Sequence, residues 1–149
     1  MENNTIFDVI IIGGGPAGIS AAIYTARAEL STLVIDKQIR AGALGITSKV
    51  ANYPGITEIL TGEDIVKLFW KQAESFGAKI VKDKVTASTL TTDPKTVITA
   101  NGSEFRGKTV ILAAGAMGRD NVVPGEQELL GKGVSIVLHV MVPFLKTRK

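Results

Sequence analysis

Apolar residues run from Ile6 to Ile12 with a single interruption at Asp8, and the run stops abruptly at Gly13-Gly14-Gly15-Pro16. A short, mostly β-branched run of this kind reads as a strand covered on both faces, as in a parallel sheet. From Pro16 the spacing turns helical: Ala17, Ile19, Ala21, Ala22, Ile23 and Ala26 are small or apolar, and Pro16 suits a first helical turn. Residues 32–35 predict a second buried strand with Asp36 at its carboxyl end. Strand, glycine turn, helix and strand make a βαβ unit, whose crossover is right-handed.

Beyond a glycine-rich loop at residues 41–55, Thr61-Gly62-Glu63-Asp64 reads as a helix-starting capping box. Ile65, Leu68, Phe69, Ala73 and Phe76 then predict one apolar helical face, and Gly77 the helix end. Residues 79–91, 96–99 and 103–105 alternate apolar and polar side chains, with Asn101-Gly102 as a tight turn. They predict a small antiparallel meander. Residues 108–114 return to a buried, parallel-type strand ending at Ala114-Gly115. The fold class is therefore α/β, a parallel sheet with crossover helices and an inserted antiparallel β-meander.

The chain has 149 residues, 45% apolar and 21% charged, enough to bury a core and too few charges for a disordered polyelectrolyte. No apolar run approaches the roughly 20 residues of a membrane helix, and the apolar start lacks the basic flank and cleavage site of a signal peptide. No membrane partner is expected. The net charge of +3 resides in Lys146, Arg148 and Lys149 of a tail without acids, so the body is neutral and a nucleic-acid partner is not expected either. There is no cysteine and one histidine, His139. Thiolate catalysis, zinc-thiolate sites, histidine triads and multi-histidine metal sites are excluded for these residues.

Gly13-x-Gly15-x-x-Gly18 lies between a strand and a helix, the context that makes this pattern specific. Gly13 permits the sharp turn, Gly15 lets a pyrophosphate reach the backbone, and Gly18 lets the helix pack on the strand. The helix start offers N–H groups and partial positive charge to phosphates. Asp36, eighteen residues after Gly18, stands where an adenosine ribose would donate to it. The bland alternative is a structural glycine turn with an incidental aspartate. Both NAD and FAD satisfy the pattern.

Gly-Gly-Gly-Pro-Ala-Gly at 13–18 resembles the FAD fingerprint of flavoprotein disulfide reductases. Asn52-Tyr53-Pro54-Gly55, Thr61-Gly62, residues 110–115 and Pro124-Gly125-Glu126 resemble, in order and spacing, the low-molecular-weight thioredoxin reductases. The resemblance covers residues 6–135. It implies a Rossmann-like FAD-binding domain, with FAD contacts at Gly13, Gly15, Pro16, Ala17, Gly18, Asp36, Lys37, Gly42, Ala43, Asn52, Val85, Ala114 and Gly115. It further implies electron flow from a reduced donor to FAD, to a cysteine pair and to a thioredoxin-like partner, in a cytoplasmic homodimer. Trp70 and Phe76 read as core or contact residues rather than flavin stackers. Two departures stand out. Ala41-Gly42-Ala43 replaces the family's Gly-Gly-Gln, and Ala113-Ala114-Gly115 replaces Ala-Thr-Gly, which leaves the donor open between NADPH and another such as ferredoxin. A non-catalytic FAD-binding module and an NAD-binding Rossmann domain of another dehydrogenase are the rival readings.

After residues 131–135 the family continues with a Cys-Ala-Thr-Cys-type redox pair, whereas residues 136–149 contain none. Codons can be chosen for this tail that, in the neighbouring frame, encode Tyr-Cys-Ala-Thr-Cys-Asp-Gly-Pro-Phe-Phe-Lys-Asn-Lys-Lys. That agreement leads to the expectation of a one-base deletion near Ser135, dividing the chain into residues 1–135, the amino-terminal part of an FAD-binding domain, and an aberrant tail at 136–149. On this reading the chain is truncated, lacks the nicotinamide domain, and has no catalytic residue. His139 then has no selected role.

Overall fold

The apolar run Ile6–Ile12 forms strand β1, and its neighbours Ile10 and Ile11 are fully buried in different core clusters. Helix α1, Pro16–Arg27, leads to β2, Thr32–Asp36, which lies parallel to β1. Helix α2, Gly62–Ser75, leads to β3, Lys79–Lys82, parallel to β2. Strands β4, Val85–Thr89, β5, Lys95–Thr99, and β6, Glu104–Leu112, complete the sheet. Its order is β3-β2-β1-β6-β5-β4. This computed structural model describes residues 5–37, 42–115, 124–129 and 132. The chain divides into two compact units, Met1–Met117 and Gly118–Lys149. In the second, helix α3, Glu126–Leu129, is described, with Leu129 N–H donating to Gly125 O at 3.2 Å. The tail at 136–149, with His139, lies outside the described residues.

Helices α1 and α2 cover one face of the parallel strands, where Ile19 and Ala22 meet Ile11, Val34, Val66 and Ala73. The other face is covered by the sheet itself. Val97 of β5, three places along from β2, is fully buried in the cluster of Phe7, Ile10, Leu33 and Ile35. The sheet therefore curls so that its antiparallel part closes over its parallel part. Gly107 sits at that corner, paired with both Phe7 and Lys95. A Cβ there would lie 2.8 Å from Ile10 Cγ1, so a side chain at this position would have to displace the fully buried Ile10.

Three details differ from the pattern-based expectation. Residues 79–82 belong to the parallel part rather than to the meander: β3 is a four-residue edge strand with only Ile80 and Val81 half-buried, too short for its pattern to tell the two apart. Residues 103–105 and 108–114 are not separate segments. A single strand, β6, pairs antiparallel with β5 through Glu104–Gly107 and parallel with β1 through Arg106–Leu112. On α2 the buried stripe is Ile65, Val66, Trp70 and Ala73, while Leu68 and Phe76 are exposed. At 100° per residue Leu68 points away from that stripe, and Phe76 is already the helix cap, lying under the Arg27 guanidinium at 5.7 Å.

Candidate functional site

The site begins where β1 ends. Gly13 turns the chain at φ +109°, and its N–H donates to Ile35 O at 2.9 Å, which ties the turn to the end of β2. A Cβ on Gly13 would lie 2.2 Å from Ala113 O, so the turn presses against the chain leaving β6. Gly15 is the N-cap of α1 and accepts from Ile19 N–H at 2.9 Å, and Pro16 opens the helix. A Cβ on Gly15 would meet nothing within 4 Å. The three motif glycines thus divide their work: Gly13 and Gly18 are needed by the fold, whereas the space beside Gly15 is open.

Gly14, between them, is gripped from two sides. Its N–H donates to Asp36 Oδ2, and its carbonyl accepts the indole N–H of Trp70 at 2.7 Å. Asp36 is half-buried at the end of β2, and Trp70 is buried on α2. Helix α2 is started by Thr61, whose hydroxyl oxygen accepts the Asp64 N–H at 3.1 Å, with Glu63 and Asp64 suiting the positive end of the helix. A Cβ on Gly62 would lie 1.8 Å from Leu44 O, so the 42–47 segment rests directly on the start of α2. These elements enclose a pocket lined by Gly14, Gly15, Pro16, Asp36, Gly42, Leu44, Gly45 and Val66. It offers a helix amino terminus, a carboxylate and close backbone approach, the combination that suits a phosphate next to a hydroxyl-bearing sugar.

Of the residues singled out in the sequence, the pocket gathers Gly15, Pro16, Asp36 and Gly42. Gly13, Ala17 and Gly18 do not line it: Gly13 packs against Ala113, Gly18 against Gly13, and Ala17 is exposed in the first turn of α1. Lys37 is exposed just past β2, and Ala43 is exposed with its carbonyl accepting the Thr47 hydroxyl at 2.9 Å. Asn52 is exposed in the loop closed by the Val50–Leu60 bridge, where Tyr53 packs on Phe69 with ring centroids 5.3 Å apart. Val85, at the start of β4, is half-buried against the second core cluster. Ala114 and Gly115 are exposed beyond β6. The pocket does not include Lys37, Ala43, Asn52, Val85, Ala114 or Gly115. Sequence reading missed Gly14, Leu44, Gly45 and Val66, and it read Trp70 as a core or contact residue without its bond to Gly14; only the unbroken glycine triplet hinted at a special need at position 14.

Among the described residues the most perturbed carboxylate lies at the other end of β1. Asp8 accepts from Lys108 Nζ at 2.7 Å and from the Ser31 hydroxyl and N–H at 2.7 and 2.9 Å. The bond from Lys108, then those from Ser31, hold its carboxyl well below the usual range. This network fastens the start of β1 to β6 and to the turn before β2, and it is structural. Among the described residues no group of three or more His, Cys, Asp or Glu is placed to hold a metal ion. No helix among them is long and apolar enough to cross a membrane.

The profile of the pyridine nucleotide-disulphide oxidoreductase family matches residues 7–148. Among curated proteins, a thioredoxin reductase of Aquifex aeolicus is 55% identical over 134 residues, which cover 90% of this chain and 42% of that protein. Among solved structures, a thioredoxin reductase from Gloeobacter violaceus superposes with a TM-score of 0.74 at 44% identity, covering 89% of this chain and 44% of that one. The thioredoxin reductase of Streptococcus pyogenes gives 0.75 at 34% identity, covering 90% and 43%. The chain therefore spans less than half the length of these relatives.

Proposed function

The chain belongs to the pyridine nucleotide-disulphide oxidoreductase family, and we propose that it is the FAD-binding portion of a thioredoxin reductase-like flavoprotein. The observation that carries this reading is the pocket in which the Gly14–Pro16 turn, Asp36 and Gly42 meet. The residues present fit the ADP half of FAD. The start of α1 offers N–H groups to the pyrophosphate, the open space beside Gly15 admits it, and the Asp36 carboxylate accepts from the ribose hydroxyls. Asn52, Val85, Ala114 and Gly115 are assigned to the remainder of the cofactor by resemblance to the family. FAD, when bound, supplies hydride and electron transfer, and the protein supplies binding and orientation.

The intact relatives' electron donor, a thioredoxin-like partner and a homodimeric, cytoplasmic state are carried over as parts of the same proposal. Residues 1–135 are assigned to the amino-terminal part of the FAD-binding domain and 136–149 to a shifted reading frame. This chain has no cysteine, so thiol–disulfide exchange has no attacking thiolate here, and the chain alone is assigned no reductase activity. The visible spectrum of the purified chain after loading with FAD and gel filtration tests the cofactor assignment. Co-eluting flavin bands support it; a colourless protein stabilised by NAD would replace it with an NAD-binding Rossmann domain.

A further inference from the structure

We propose that Trp70 is a positioning residue of the phosphate-binding turn, its indole N–H setting the orientation of the Gly14–Gly15 peptide and hence of the Gly15 N–H. The inference rests on the FAD reading for its ligand but on geometry for its mechanism. A trans peptide is planar, with its C=O and N–H pointing in opposite directions. Trp70 Nε1 holds Gly14 O at 2.7 Å, so the N–H of the same peptide, that of Gly15, is aimed away from α2. The preceding peptide is fixed by the bond from Gly14 N–H to Asp36. Both planes flanking Gly14 are thereby set by side chains rather than by the glycine, whose backbone freedom would otherwise leave them to rotate.

The fit is tight as well as polar. A Cβ on Gly14 would come 3.0 Å from Asp36 Cβ and 3.1 Å from Trp70 Cζ2, so the peptide is wedged between the two side chains. Trp70 is itself immobilised, 5% exposed, in the cluster that joins α1 and α2 to the sheet. Packing alone would be served by any large ring. The buried indole N–H adds a donor, and the acceptor it finds is the carbonyl that governs the turn.

Trp70 is the only tryptophan, so its indole proton is a single NMR signal in the full chain. Trp70→Phe keeps a ring and removes the donor; Trp70→His keeps an N–H. In Trp70→Phe, at unchanged circular dichroism, the dissociation constants for FAD and for ADP are expected to rise about tenfold, the effect of one hydrogen bond. Trp70→His is expected to recover part of that loss. Equal affinities in Trp70→Phe and parent would overturn the proposal. Exchange of the parent's indole proton with deuterium tests the clamp without a variant or a ligand. Slow exchange supports it, and exchange at the rate of an exposed indole overturns it. A parent that binds neither FAD nor ADP would remove the cofactor reading, and the clamp would then stand or fall on the indole exchange.

Discussion

Gly18 lies so close to Gly13 that a Cβ on it would come within 1.8 Å of the Gly13 carbonyl oxygen. The obstacle is backbone, which cannot swing aside as a side chain can. Gly18→Ala is expected to push α1 off the end of β1 and to cost about 1–3 kcal/mol of stability, the usual range for overpacking. Denaturant melts without ligand measure it. A melt identical to the parent's would mean that the turn has room that the structure denies it.

Asp36 acts on the turn and, in the proposed complex, on the ribose. Asp36→Ala is expected to weaken FAD binding by about 1.5–3 kcal/mol, the range for a lost charged acceptor. Asp36→Asn keeps an oxygen for Gly14 N–H and should lose less. Fluorescence titration with FAD ranks the three proteins, and an unchanged affinity in Asp36→Ala would remove the carboxylate from the site.

Acid tests the network at the far end of β1. Lys108 and Ser31 hold the folded-state pKa of Asp8 below its ordinary value of 3.8. A depressed folded value means that the ionised network stabilises the fold fully above the ordinary value. That contribution drains away as the pH falls from there toward the folded value. Asp8→Asn is therefore expected to melt below the parent at pH 7, with the gap narrowing at pH 3 and below. The gap should be modest, since Lys108 is well exposed. A gap independent of pH would show that the charge of Asp8 is irrelevant.

The β1–α1–β2 unit was legible because each of its signals is local. A β-branched run, a glycine turn followed by proline, and an acid closing the next strand predict Ile6–Ile12, Pro16–Arg27 and Thr32–Asp36 almost to the residue. What escaped depends on partners far along the chain. Nothing near residue 79 says that its strand joins β2 rather than the meander, since four residues with two half-buried in the middle suit either partner. Nothing near Trp70 says that its indole reaches a carbonyl 56 residues earlier. Gly14 was overlooked because the fingerprint assigns tasks to its neighbours, while its own need for a missing side chain is imposed by Asp36 and Trp70. Gly107 was likewise invisible, because the Ile10 side chain that would crowd a Cβ there belongs to a strand far along the chain.

The tail makes a prediction about nucleic acid rather than protein. The gene is expected to encode, one frame away from residues 136–149, a Cys-Ala-Thr-Cys-type segment that continues as open reading frame. Sequencing the gene from codon 131 onward decides it. A neighbouring frame without that segment would leave the tail as the chain's own.

The central claim is that the turn at residues 13–18, closed by Asp36, holds the ADP half of FAD, and calorimetric titration of FAD into the parent and Gly15→Val tests it most directly. Gly15 is an N-cap with a φ of −75° and open space beside it, so valine there costs the fold only about 1 kcal/mol while occupying the place of the pyrophosphate. The expected result is one FAD per parent chain, displaced by ADP, and no measurable binding by a folded Gly15→Val. Equal binding by the two proteins, or binding by the parent that ADP does not displace, would contradict it.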